Sequence, residues 1–167
     1  MWLFGGMNMI TVLPNTDVLE YFINHDVDLA HGCNCHNTMG AGIAKSIRAT
    51  WPQVYSADCQ TRRGDRGKLG WFTYADIDGQ RIYNLYTQYR YGRDQKYFEP
   101  QAFQIALLRM FFDMSIRQRY DIIIPWIGTY NAGGTREEVM AILEDTVPKE
   151  INLVIGELNH AAVQKRF

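Results

Sequence analysis

His31-Gly32-Cys33-Asn34-Cys35-His36-Asn37-Thr38-Met39-Gly40-Ala41-Gly42-Ile43-Ala44 decides the fold. An apolar, strand-like approach ends in a polar corner, then in a glycine loop, then in a helical pattern. Glycines at 40 and 42 let backbone N–H groups approach a ligand with no Cβ in the way, and the following helix turns its positive end toward an anion. Asn34, His36 and Asn37 stand beside that anion site. A second loop has the same logic: Pro125-Trp126-Ile127-Gly128-Thr129-Tyr130-Asn131-Ala132-Gly133-Gly134-Thr135, a β-rich run, small residues, then a helix from Thr135. A tight strand-to-helix turn also needs glycine. The polar side chains before the first loop and the presence of the second favour a ligand site, and two anion-friendly loops suit a diphosphate.

Outward from these loops the chain alternates. Strand-like runs rich in β-branched and aromatic residues span Asn8–Leu13, Val27–Cys33, Gly70–Ala75, Arg81–Thr87, Tyr120–Ile127 and Ile151–Gly156. Helical spacing appears at Ile43, Ile47 and Trp51, resumes at Pro52, and from Pro100 places Phe103, Leu107, Met110, Phe111 and Met114 in one apolar stripe, a core face. A further helix runs from Thr135, its N-cap, through Val139, Ile142 and Leu143. Asp78-Gly79 between two strand runs signals a hairpin. Alternating strands and helices with one hairpin predict a mixed sheet covered by helices on both faces.

At 167 residues the chain fits a single domain, residues 1–167, with 1–7 as an N-terminal extension, and 47% apolar residues suit a globular core. A net charge of −1 argues against a nucleic-acid-coating protein. The one basic run, Arg62-Arg63-Gly64-Asp65-Arg66-Gly67-Lys68, reads as a solvated surface loop. Three cysteines give no disulfide framework, which fits a reducing cytoplasm, and no apolar run is long enough to span a bilayer. Cys59 reads as buried filler and Lys45 as an exposed helix residue. The third position of Gly40-x-Gly42-x-x-Lys45 is not glycine, and no acidic residue ends a strand about twenty residues later, so a dinucleotide fold fails in detail.

The two loops together resemble the macro domain, an ADP-ribose-binding three-layer α/β/α fold with a mixed six-stranded sheet, over roughly Met9 to Leu158. The family's early Gly-Asp-Ile element is similar to Thr16-Asp17-Val18, which implies that Asp17 takes the adenine amino group and the Val18 N–H an adenine ring nitrogen. Cys33-Asn34-Cys35 and Met39-Gly40-Ala41-Gly42-Ile43-Ala44 resemble its catalytic loop; Pro125–Gly134 resembles its phosphate loop. The resemblance is nearest to the branch that removes phosphate from ADP-ribose 1''-phosphate, through His31-x-Cys33-Asn34-Cys35 and Asn84-Leu85-Tyr86-Thr87-Gln88. A glycosyl-cleaving branch carries lysine where this chain has Gln88, and some of its members are acidic where Ala132 stands. Tyr130 replaces the family's usual glycine, which narrows the pocket or offers a stacking ring.

The resemblance therefore implies a metal-independent, cofactor-free, monomeric cytoplasmic hydrolase. Asn37, Met39, Gly40, Ala41, Gly42, Ile43, Gln88, Ile127, Gly128, Thr129, Tyr130, Asn131, Ala132 and Gly133 would join Asp17 and Val18 around ADP-ribose or its 1''-phosphate. The catalytic candidates are His31, Asn34 and His36. Asn34 orients hydroxyls or water but is no base, so a histidine must move the proton. The branch favours His31; His36, nearer the glycines, is the geometric rival. His31, Cys33, Cys35 and His36 are also zinc-ligand types, but His36 would point away from the other three on a regular strand. A binding module without turnover and an ADP-ribosyl hydrolase are the alternative functions.

Overall fold

The computed structural model describes residues 9–158, so the expected extension at 1–7 lies outside the described residues. The elements run β1 (Met9–Pro14), α1 (Val18–Asn24), β2 (Asp28–Asn34), α2 (Gly42–Thr50), α3 (Pro52–Cys59), a 3-10 turn at Arg66–Lys68, β3 (Phe72–Ile77), β4 (Gln80–Gln88), α4 (Pro100–Ile116), β5 (Asp121–Ile124), α5 (Arg136–Thr146) and β6 (Asn152–Glu157). All six expected strands form, displaced by a residue or two at their ends. The exception is β5, expected to reach Ile127, which stops at Ile124 because Pro125 donates no ladder bond and its carbonyl is taken by the Ile127 N–H at 2.8 Å. Helix α1 was not expected as a helix. Asp17 starts it, its Oδ1 accepting from Leu19 N at 2.9 Å and Glu20 N at 3.1 Å.

The sheet is ordered β1-β6-β5-β2-β4-β3. Only β3 is antiparallel to its neighbour, joined to β4 through Asp78 and Gly79, both at positive φ (49° and 86°) as a two-residue hairpin turn requires. Period-two alternation sends successive residues to opposite faces. Leu29, Cys33, Ile82, Tyr86 and Ile123 meet Val18, Phe22, Ile47 and Val54 from α1, α2 and α3. Ala30, Tyr83, Leu85, Ile122 and Ile124 meet α4 and α5, where the stripe Phe103, Leu107, Met110, Phe111 and Met114 is buried as its spacing requires. The fold is thus three-layered, α/β/α.

Five strands point the same way, so the segments after β1, β2, β4 and β5 gather along one edge of the sheet, joined by the 60–68 loop that leads into antiparallel β3. The chain leaves β2 toward β3 and β4 but leaves β5 toward β6. Between β2 and β5 the winding therefore reverses, and a crevice opens at the carboxyl ends of these strands. The opposite edge is closed by charge. Asp28, fully buried, accepts from Arg117 at 2.7 Å and from the Arg81 N–H at 2.9 Å, and Asp113 accepts from Arg81 at 2.9 Å and from the Tyr83 hydroxyl at 2.5 Å. Cys59, expected to be buried, is exposed as the last residue of α3, a helix whose inward side is filled by Val54 and Asp58.

Candidate functional site

Both glycine-rich loops flank the crevice. In the first, Asn34 acts as an internal brace: its Nδ2 donates to Thr38 Oγ1 at 2.8 Å and its Oδ1 accepts from the His36 N–H at 2.8 Å. Asn37 and Met39 take positive φ (54° and 39°), turning the chain sharply into α2, and Gly42 follows at 54°. A Cβ on Gly42 would meet nothing within 4 Å, so the first loop leaves open space there. Lys45, exposed as expected, joins Met39, Gly40, Arg48 and Ala49 in lining a hollow of about 440 Å3 beside the loop.

The side chain of Asn37 does not reach the crevice, contrary to expectation. Its Oδ1 accepts from Lys68 Nζ at 2.5 Å and its Nδ2 donates to the Thr61 carbonyl at 3.0 Å. Lys68 is buried, unlike the arginines around it, because its ammonium also reaches Thr61 Oγ1 at 2.8 Å and stands 5.0 Å from the Tyr86 ring. The basic run is therefore not wholly a solvated face: its last residue anchors the first loop from below. Asp58 lies in the same buried cluster, one oxygen accepting from the Tyr86 hydroxyl at 2.7 Å and the other without a hydrogen-bond partner, and burial pushes its carboxyl up. The sequence singled out neither Lys68 nor Asp58 for this position, and only the tertiary packing reveals them.

His31 does not fit the catalytic role expected of it. It lies within β2, 0% exposed, with Nε2 2.6 Å from Asn84 Oδ1. Asn84 Nδ2 donates to the Val54 carbonyl and Thr73 Oγ1, each at 3.1 Å, so its oxygen faces His31 and the imidazole must donate. Burial drives the imidazole pKa down to about 4, partly offset by this bond. A side chain sealed between the sheet and α3 does not line the crevice. Cys33 Sγ lies 3.6 Å from His31 Nε2, and burial raises both the Cys33 and Cys35 thiols, the latter to about 11, so neither is a thiolate nucleophile. Among the described residues no group of three or more His, Cys, Asp or Glu side chains is placed to hold a metal ion.

His36 occupies a different position. Its ring packs edge-on to Tyr89 at 4.9 Å, and its Nε2 is buried without a hydrogen-bond partner. Burial, reinforced by Arg90, Arg63 and Lys68, lowers its pKa, so the ring is neutral near pH 7 and can accept a proton. Gln88, at the end of β4, donates to the Arg90 carbonyl at 2.8 Å.

The second loop is built around Phe98. Gly128 (φ 76°) and Gly134 pack on its ring, the Gly134 N–H donates to the Gly128 carbonyl at 2.8 Å, and the Tyr97 and Phe98 N–H groups donate to the Ala132 carbonyl at 2.8 and 3.0 Å. Ile127 and Ala132 are buried, as are Met39 in the first loop and Val18 on α1, so these four side chains belong to the core and not to the crevice. Gly133 and Tyr130 are exposed. Thr135 and Glu138 form a reciprocal capping box at the start of α5, as its N-cap predicted, and Lys96 pairs with Glu138. Trp126 Nε1 donates to Glu157 at 3.1 Å, and the Thr16 N–H to the Glu157 carbonyl at 2.9 Å, tying the second loop to the segment that carries Asp17.

No protein-family model matches the chain. It is 33% identical over 153 residues to an uncharacterised 17.5 kDa protein from the tk-vs intergenic region of Enterobacteria phage T4, covering 88% of this chain and 96% of that one. Its structure resembles the macrodomain of Mycobacterium tuberculosis DarG, with a TM-score of 0.69, 21% identity and coverage of 91% and 99%. It also resembles Thermosipho africanus DarTG in complex with ADP-ribose, with a TM-score of 0.66, 15% identity and coverage of 84% of this chain and 39% of that one. At these identities the structural likeness establishes the macrodomain fold.

Proposed function

Because the chain belongs to the family of the phage T4 17.5 kDa protein and has the macrodomain fold, we propose that it binds ADP-ribose in the crevice between β2 and β5 and hydrolyses ADP-ribose 1''-phosphate. The observation that carries the ligand is the pair of glycine-rich loops on either side of the winding reversal, where a diphosphate would meet backbone with no Cβ in the way at Gly42, Gly128 and Gly133. Adenine is assigned to Asp17 and the Val18 N–H, the diphosphate to Gly40–Ile43 and Gly128–Gly133, and the distal ribose to the end bounded by His36, Gln88 and Tyr130. The ADP-ribose bound in the Thermosipho protein supports this choice of ligand.

In this reading bound substrate admits a water to the unpartnered Nε2 of His36, which takes its proton as the water oxygen attacks phosphorus; the bond from phosphorus to the C1'' oxygen breaks, that oxygen receives the proton back, and ADP-ribose and inorganic phosphate are left. The loop N–H groups stabilise the charge on the phosphoryl oxygens. Asn34 holds the His36 backbone in place rather than touching substrate. Gln88, where the glycosyl-cleaving branch carries lysine, supports phosphate removal over cleavage of a glycosyl bond. Burial of His31 favours a second reading, a binding module without turnover.

Phosphate release from ADP-ribose 1''-phosphate, run beside calorimetry with ADP-ribose, decides between them. The phosphatase reading expects turnover that His36→Ala lowers by about 100-fold while ADP-ribose affinity changes little. Micromolar ADP-ribose binding with no phosphate release would replace it with the binding module.

A further inference from the structure

The charge balance of the chain hides a local concentration. Residues 61–68 and 89–97 hold seven of its 17 Lys and Arg but only two of its 18 Asp and Glu, interleaved with tyrosines. Far apart in sequence, these stretches lie side by side on the crevice rim. The Gly64 N–H donates to the Cys35 carbonyl at 2.7 Å, the Tyr89 hydroxyl to the Gly64 carbonyl at 3.0 Å, and the Cys35 N–H to the Tyr89 carbonyl at 3.1 Å. Arg66 lies 3.9 Å over the Tyr89 ring and Arg90 5.9 Å from it. The surface then passes through Tyr91, 6.5 Å from His36, to Arg93, 5.8 Å from the Tyr130 ring on the second loop.

Arg62, Arg63, Arg66, Arg90 and Arg93 are all exposed, and Tyr91 and Tyr130 are 56% and 63% exposed. The two carboxylates of these stretches are engaged locally: Asp65 accepts from the Gly67 N–H at 2.8 Å and Asp94 from the Tyr97 hydroxyl at 2.7 Å. We propose that this rim binds single-stranded nucleic acid, independently of the ligand in the crevice. Cations ranged along this rim neutralise backbone phosphates, while exposed tyrosine rings and guanidinium planes offer stacking faces to unpaired bases of any sequence. A duplex keeps its bases stacked on one another and could use only the charges. An acidic peptide would leave Tyr91 and Tyr130 without a role.

The test is fluorescence anisotropy of the full chain with a fluorescein-labelled oligothymidylate of about 12 nucleotides, across a salt series. The proposal expects binding that Tyr91→Ala weakens by about 5-fold or more. It also expects that Arg66→Ala with Arg93→Ala flattens the log Kd against log salt slope by about 1.4, two phosphate contacts' worth. Lys149→Ala, an exposed cation at the opposite edge of the sheet, should change neither. No binding by the unmodified protein, equal loss in Lys149→Ala, equal affinity for a duplex, or equally strong competition by polyglutamate would each overturn it. Calorimetry with ADP-ribose on the same proteins reads the crevice separately, so a failure there leaves the oligonucleotide result standing.

Discussion

Gly32 in β2 and Ile127 in the second loop meet where a side chain on residue 32 would stand: an added Cβ would lie 2.9 Å from Ile127 Cγ2 and 2.9 Å from Thr87 Oγ1. The missing methyl lets the second loop fold down over the end of the strand that feeds the first. Gly32→Ala should therefore cost about 1–3 kcal/mol by overpacking and weaken ADP-ribose binding by shifting the second loop. Ile127→Ala, which removes the clashing Cγ2, should cost less in the Gly32→Ala background than on its own. Urea denaturation and calorimetry on the single and double variants measure both effects.

The glycines of the two loops should behave differently. At Gly128 an added Cβ would sit 2.2 Å from the Phe98 ring, at a φ of 76°, whereas at Gly42 it would meet open space, at 54°. Gly42→Ala should cost only the backbone strain of the left-handed region, about 1–2 kcal/mol. Gly128→Ala should lose clearly more, because Phe98 must move as well. Thermal denaturation of the pair checks the order.

Asp17 caps α1, so replacing it with alanine would confuse stability with recognition. Serine is an equally good N-cap but has no carboxylate. Asp17→Ser should leave the melting temperature nearly unchanged and weaken ADP-ribose binding by about 1–3 kcal/mol, the cost of an unmet partner. Unchanged affinity in calorimetry would remove adenine recognition from this residue.

His31 makes the fold acid-sensitive. In the unfolded chain its imidazole takes up a proton near pH 6.5, but in the folded protein only at about 4, because burial opposes the charge. The unfolded state therefore binds more protons between these values, and stability falls as pH drops through that window, by about 3 kcal/mol in all. His31→Gln should flatten this part of the pH profile. Urea midpoints at pH 7.5 and 4.5 for both proteins give the comparison.

Elements set by local rules were legible in the sequence. Glycines at strand-to-helix turns, the Thr135 cap, the Asp78-Gly79 hairpin and the α4 stripe all act within a few residues of themselves. Depth was not legible. Alternation places His31 and Cys33 on one face of β2 but is silent on whether that face is sealed, and here Asn84 and α3 seal it. The partners of Asn37 were equally out of reach, since Lys68 arrives from a segment 31 residues away and sits in a run whose other cations face solvent. Helix α1 escaped because only Val18 and Phe22 are buried in its seven residues, too short a stripe to stand out from a loop.

Among the described residues β1 pairs only with β6, at the sheet edge, in register from Met9 with Asn152 to Pro14 with Glu157. On the ribosome β1 stays unpaired until β6, more than a hundred residues later, has been made. Strands β2, β3 and β4 can zip meanwhile, since their partners are close in sequence. Closing so distant a contact carries the largest loop entropy in the sheet, which sets it late in assembly and leaves an open strand edge exposed to proteases and to other nascent chains until then. The bond from Thr16 to Glu157 forms in the same step, so the segment bearing Asp17 takes its place only once β6 has been made.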